Sequence, residues 1–151
     1  YRAYQEENYV GSINLFDGVR EMLDELIAKG YKLAIVTSRT RNTSMDYIDL
    51  LGIRDLFEVF ITCDDTPVHK PEPKPIDMAI EQMEEKLRKT ISKDECIMIG
   101  DTKFDIGCGN NAGVDTVLVD WSHPIDESAI TELGFKADYR ISTPTELLDI
   151  V

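Results

Sequence analysis

Asp101 and Asp105 follow a short apolar run, Cys96-Ile97-Met98-Ile99, that breaks at Gly100. The run is too short for an independent helix and suits a strand buried on both faces of a parallel sheet. Gly100 is expected to let the backbone turn sharply off the strand end. Asp101 then sits at the carboxyl edge of the sheet, where open α/β folds place their ligands. With a helix starting near Thr102, Asp105 lies about one turn from Asp101, so both can face one hard cation such as Mg²⁺. The plainer alternative makes Asp101 the cap of that helix and Asp105 a solvated first-turn acid. Two further features carry matching chemistry. Thr37-Ser38 follows the apolar run Leu33-Ala34-Ile35-Val36, and Lys70 opens the stretch Lys70-Pro71-Glu72-Pro73-Lys74-Pro75. Taken singly, either hydroxyl reads as a helix cap and the lysine as a solvated loop residue. Together, a hydroxyl, an ammonium group and a carboxylate pair at one sheet edge supply what phosphoryl transfer needs. The hydroxyl donates to a phosphoryl oxygen, the ammonium offsets its charge and the carboxylates hold Mg²⁺.

The surrounding pattern supplies elements to carry these groups. Val19, Met22, Leu23, Leu26 and Ile27 have the spacing of an amphipathic helix, with Asp17 as its expected N-cap and Gly30 just past its end. Residues 33–36 read as a buried strand, 42–51 as a helix ending at Gly52, and Val59-Phe60-Ile61-Thr62 as the next strand. The prolines at 71, 73 and 75 forbid helix or central strand and stiffen the loop. Ile76, Ala79, Ile80, Met83 and Leu87 mark a long helix ahead of the strand at Cys96. Strands at 116–119 and 139–141 and a closing helix at 145–150 complete the chain. Strands alternating with helical patterns predict an α/β fold with a Rossmann-like, doubly wound parallel sheet. No internal repeat or low-complexity segment is present.

The 151 residues suffice for one domain with a full core. With 29 acidic against 16 basic residues the net charge is −13, which argues against nucleic acid or an anionic membrane as a partner. No apolar run approaches the roughly 20 residues of a membrane span, and no signal peptide is visible. Cys63, Cys96 and Cys108 have no metal-binding spacing, and reduced thiols in a cytoplasmic protein account for them.

The sequence resembles the haloacid dehalogenase (HAD) superfamily. L-A-I-V-T-S is similar to its second motif, H-K-P-E-P-K-P-I to its third and I-M-I-G-D-T-K-F-D-I to its fourth. The segment G-C-G-N-N-A-G-V-D-T-V-L-V-D-W, the loop D-D-T-P-V-H-K-P-E-P-K-P and the late A-D-Y-R-I resemble phosphoglycolate-phosphatase-like members and their pyrophosphate-hydrolysing relatives. The resemblance runs from about Phe16 to the end. It implies that Thr37, with Ser38 beside it, binds the transferring phosphoryl group, that Lys70 neutralises it, and that Asp101 and Asp105 hold Mg²⁺. A dehalogenase needs no metal-binding acid pair, so G-D-T-K-F-D favours the phosphatase branch. The implied substrate is a small phosphorylated metabolite or pyrophosphate.

One departure stands against this resemblance. The first motif, D-x-D-x-T/V, which carries the nucleophilic and acid/base aspartates on the first strand, does not occur. The chain opens Tyr1-Arg2-Ala3-Tyr4 without a methionine. Residues 1–13 resemble the last turn of a helical cap and its return linker, and 14–151 the carboxyl two-thirds of such a phosphatase. The expectation is therefore a core lacking its first, central strand and inactive by itself, with unpaired edges at 33–36 and 96–99. A strand from a partner chain, a bound peptide or a homo-oligomer is expected to satisfy those edges, rather than direct pairing of the two strands. The alternative function is a non-catalytic module, either a degenerate HAD-like binding protein or a receiver-like phospho-acceptor. Receivers place their acids first and lysine last, whereas the order here is hydroxyl, lysine, acids.

Overall fold

The computed structural model describes residues 18–120 and 127–151. Asp17, the expected N-cap, and the expected boundary at residues 13 and 14 lie outside the described residues. Helix α1, Val19–Ala28, buries Val19, Met22, Leu23 and Leu26, each such side chain contributing about 1.5–3 kcal/mol when fully buried. It ends as expected. Gly30 has φ 91°, its N–H donates to the Ile27 carbonyl, and Tyr31 N–H reaches back to Leu26, a double closure that requires the left-handed conformation glycine adopts without strain.

Strand β1 is Ala34–Val36, α2 is Arg41–Leu51 and β2 is Val59–Ile61, with a 3-10 turn at Arg54–Leu56 between them. Helix α3, Lys74–Leu87, starts within the proline-rich stretch and includes Pro75. The expectation that the third proline forbids helix is thus corrected. In the first turn the missing N–H has no helical acceptor to lose, and the fixed φ suits helix entry. A 3-10 turn at Lys93–Glu95, held by a Ser92/Glu95 capping box, delivers β3, Ile97–Gly100. Then come α4, Lys103–Ala112, β4, Asp115–Val119, α5, Glu127–Glu132, and β5, Tyr139–Ile141. The expected closing helix is a 3-10 segment, Pro144–Asp149. Helix α5 was not expected, because Ile130 is its one buried side chain and gives no periodicity to read.

All strand pairs are parallel, as an α/β fold requires, but the described strands form two sheets rather than one. One contains β1 and β2, in register Ile35 to Phe60; the other is β3-β4-β5, in register Met98 to Thr116 and Leu118 to Arg140. Alternate residues face opposite layers. Ile35, Ile99, Val117 and Val119 share one core cluster with α1 residues and Leu147. Val36 and Ile61 pack on Ala79 and Met83 of α3, and Met98 packs with Cys108 and Ala112 of α4. The two sheets are thus held together through helices on both faces. Between β1 and β3 lies a groove of about 630 Å³, whose lining includes Leu33, Ala34, Ala79, Ile80, Ile97 and Met98. The two strands do not pair with each other.

Candidate functional site

The carboxyl ends of β1, β2 and β3 bring the candidate residues to one side of the molecule. Thr37 follows β1 and is buried; its N–H donates to the Ile61 carbonyl at 2.9 Å, which locks it to β2. Thr37 Oγ1 accepts from Arg39 N–H at 3.2 Å. That bond uses a lone pair of the hydroxyl and leaves its proton to donate elsewhere. Thr37, Ser38, Thr62, Thr66, His69 and Lys70 line one small depression together with Pro75. The structure therefore unites the Thr37-Ser38 pair with Lys70, as the sequence led one to expect.

Lys70 does not remain a solvated loop residue. Its Nζ donates to Asp105 Oδ1, and the two side chains are 5% and 3% exposed. The loop behind Lys70 is pinned from α4. Asn111 Nδ2 donates to the Pro71 carbonyl at 2.8 Å, and Cys108 Sγ contacts the Glu72 carbonyl at 3.1 Å. Burial pushes the Cys108 thiol up to about 11, so it stays protonated and inert there.

Asp105 also shapes the start of α4. Its Oδ2 accepts from the N–H groups of Asp101 and Thr102 at 3.1 and 3.2 Å, while Thr102 Oγ1 accepts from Asp105 N–H. This reciprocal capping box makes Thr102 the N-cap, in place of Asp101 in the plainer alternative, and Asp105 is buried rather than solvated. Gly100 serves a different need from the one expected. Among the described residues its φ is not left-handed, but a Cβ there would lie 2.2 Å from Asp105 Cβ. The missing side chain makes room for the carboxylate, not for a turn.

Asp101 stands immediately past β3, half-buried, with its N–H on Asp105. Among the described residues no group of three or more His, Cys, Asp or Glu side chains could hold a metal by itself. The Asp101 carboxylate at a strand end is a donor of the type Mg²⁺ takes, one or two protein carboxylates with water and substrate oxygens completing its octahedron, whereas both Asp105 oxygens already accept, Oδ1 from Lys70 and Oδ2 from two backbone N–H groups.

Other residues of the site were not singled out from the sequence. Thr62, Thr66 and His69 line the same depression, and Thr66 Oγ1 accepts from Val68 N–H at 3.1 Å, again sparing its proton. Asp65 accepts from Thr62 N–H at 2.6 Å, from Thr62 Oγ1 at 2.8 Å and from Arg41 Nη2 at 2.8 and 2.9 Å. Burial pushes the Asp65 carboxyl up, but the bonds from Thr62 and the charge and bonds of Arg41 outweigh it and hold the group below its ordinary value. The acidic pair in D-D-T after a strand, with two arginines in T-S-R-T-R, is the one local signal that could have drawn attention here.

A family model described as haloacid dehalogenase-like hydrolase matches residues 1–119. A pyrophosphatase PpaX from Halalkalibacterium halodurans is 34% identical over 151 residues, which cover 100% of this chain and 66% of the relative. The chain thus spans about two thirds of the length of the curated relatives it matches. Among solved structures, a HAD phosphatase from Thermococcus onnurineus superimposes with a TM-score of 0.75 and 30% identity, covering 90% of this chain and 57% of that one. A protein described as a predicted phosphoglycolate phosphatase from Haemophilus somnus gives a TM-score of 0.73 at 26% identity, covering 90% and 56%.

Proposed function

The chain belongs to the haloacid dehalogenase-like hydrolases, and from that premise we propose that the whole protein is a Mg²⁺-dependent phosphohydrolase working through an aspartyl-phosphate. Its substrate is pyrophosphate or a small, phosphoglycolate-like phosphorylated metabolite, in keeping with the names of the relatives. The observation that carries this reading is the depression shared by Thr37, with its spare hydroxyl proton, and Lys70, whose ammonium is joined to Asp105 at the start of α4. In the proposed reaction an aspartate oxygen attacks phosphorus as the bond to the leaving oxygen breaks. Water then cleaves the acyl phosphate and releases orthophosphate, so one hard displacement becomes two easier ones. Thr37 and Ser38 donate to the phosphoryl oxygens, and Lys70 offsets their growing charge, oriented by Asp105. Asp101 and Asp105 would hold the cation, which would supply charge neutralisation on the transferring group.

The sequence contains no D-x-D-x-T pattern, so the nucleophile belongs, in this proposal, to a strand that occupies the groove between β1 and β3. That strand comes from the third of the relatives' length this chain does not span, or from another chain. The setting is cytoplasmic. Among the described residues no helix is long and apolar enough to cross a membrane. A binding-only role is the second reading, favoured by the same missing pattern. Pyrophosphatase assays on the whole protein separate the two. Lys70→Ala and Asp101→Ala should each lower turnover at least about tenfold, since each removes a charge the transition state relies on. Absence of any turnover in the unsubstituted whole protein supports binding only, and turnover within about twofold in either variant removes the assignment of these residues.

A further inference from the structure

Two loops build the phosphate-facing depression, one after β1 and one after β2; the far end of the second is pinned from α4, and the bonds between the two loops lie at their starts. Thr37 and Ser38 lie on the first; Thr62, Thr66, His69 and Lys70 lie on the second. Arg41, the first residue of α2, spans them. Its Nη2 donates to both oxygens of Asp65 and, at 3.1 Å, to the carbonyl of Phe60 in β2. Its backbone N–H donates to Asp64 Oδ2 at 2.8 Å. Asp65 in turn receives the backbone and hydroxyl of Thr62, a residue only 1% exposed. A further bond, Cys63 N–H to the Arg39 carbonyl at 2.9 Å, ties the loops in the same direction.

A surface ion pair by itself contributes little to a fold. This one differs because its carboxylate is the shared acceptor for a buried threonine and for the guanidinium of the facing loop. Removing it leaves the Thr62 N–H and hydroxyl without acceptors inside the protein, which such groups do not tolerate without moving. We propose that Arg41 and Asp65 are positioning residues that set the spacing between the Thr37-Ser38 loop and the Thr62–Lys70 loop, and thereby the fit of the depression to a phosphoryl group. This rests on the functional reading above for its ligand, though not for its geometry.

The experiment uses the 151-residue chain with Asp65→Asn, Arg41→Met and the conservative Arg41→Lys. Two readouts are taken: calorimetric titration with inorganic pyrophosphate plus Mg²⁺, and amide chemical shifts of Thr37, Ser38, Thr62 and Thr66. Asp65→Asn and Arg41→Met should weaken pyrophosphate binding about fivefold or more and shift those four amides, with the β4 and β5 amides unmoved. Arg41→Lys, which keeps the charge but not the fork, should recover part of both. Four amides that stay in place, with affinity within about twofold, would overturn the proposal. The functional reading concerns the whole protein, so where the wild-type chain alone binds no pyrophosphate the amide shifts decide the positioning role. If Arg41→Met does not fold, Arg41→Lys and Asp65→Asn decide it by the same shifts.

Discussion

Lys70 and Asp105, 35 residues apart in the chain, meet as an ion pair in which both side chains are almost wholly buried. Desolvating two charges is costly, and a buried pair is tolerated only when its remaining polar atoms are also satisfied. Here Asp105 Oδ2 takes two backbone N–H groups at the start of α4. The same carboxylate therefore orients the ammonium and closes a helix terminus.

Removing either partner should strand the other. Lys70→Met and Asp105→Asn are each expected to cost about 3–5 kcal/mol in urea unfolding, the usual penalty for an orphaned buried charge. The double variant should cost less than the two single losses added together. Additive losses would mean that the pair is not energetically coupled.

Gly100→Ala tests the space behind that pair. The added Cβ would stand 2.2 Å from Asp105 Cβ and 2.5 Å from its Cγ. Overpacking of this kind costs about 1–3 kcal/mol or more. The shift must also move the carboxylate off Lys70, so on the proposed function the substitution should weaken phosphate binding as well as stability. Unchanged melting with unchanged binding would show that α4 shifts freely, against the close packing seen here.

Periodicity makes most of the elements legible, since Val19 to Leu26 and Ile76 to Met83 each keep one buried face, and the short apolar runs at 33–36 and 96–99 suit strands, found at Ala34–Val36 and Ile97–Gly100. Composition misled where two physical causes share one residue type. In sequence Gly100 has the look of a turn residue, yet it is small because a side chain stands beside it. Pro75 has the look of a breaker, yet it sits where a helix accepts proline. The candidate site residues are visible in the sequence because they follow strands. Their couplings are not, because Arg41 to Asp65 and Lys70 to Asp105 are 24 and 35 positions apart, and only the packing of helices against the strands brings them together.

The Asp65 carboxyl gives a pH dependence with a definite sign. Its folded-state pKa lies below the ordinary value, so its contribution to stability is present above about pH 3.9 and is lost as pH falls through the lower folded value. The groups facing it are Arg41, Asp64, Thr62 and Cys63. Asp65→Asn should therefore be less stable than wild type at pH 6, with the difference narrowing below pH 4. A stability difference that persists unchanged at pH 2 would assign it to shape, not to charge.

The groove between β1 and β3 makes the last prediction. Strand β4 is paired on both sides, whereas β1 and β3 are each paired on one side only among the described residues. In a parallel strand alternate N–H groups point to opposite neighbours, so half of the amides in 34–36 and 97–100 face the groove. Unpaired backbone groups along an apolar edge are costly, and they invite pairing with another segment. The groove is also lined by Ala79, Ile80 and Met83 on the α3 face, so an occupant must be apolar and extended. Hydrogen exchange on the purified chain reads this directly. With the groove open, groove-facing amides of β1 and β3 should exchange at least about tenfold faster than those of β4. Adding a polypeptide that carries the proposed nucleophile strand should slow both sets together, because one strand completes both ladders. Protection that rises in β1 alone, or in β3 alone, would show that the added segment binds an edge without joining the two sheets. It would then count against the groove as the place where the nucleophile enters.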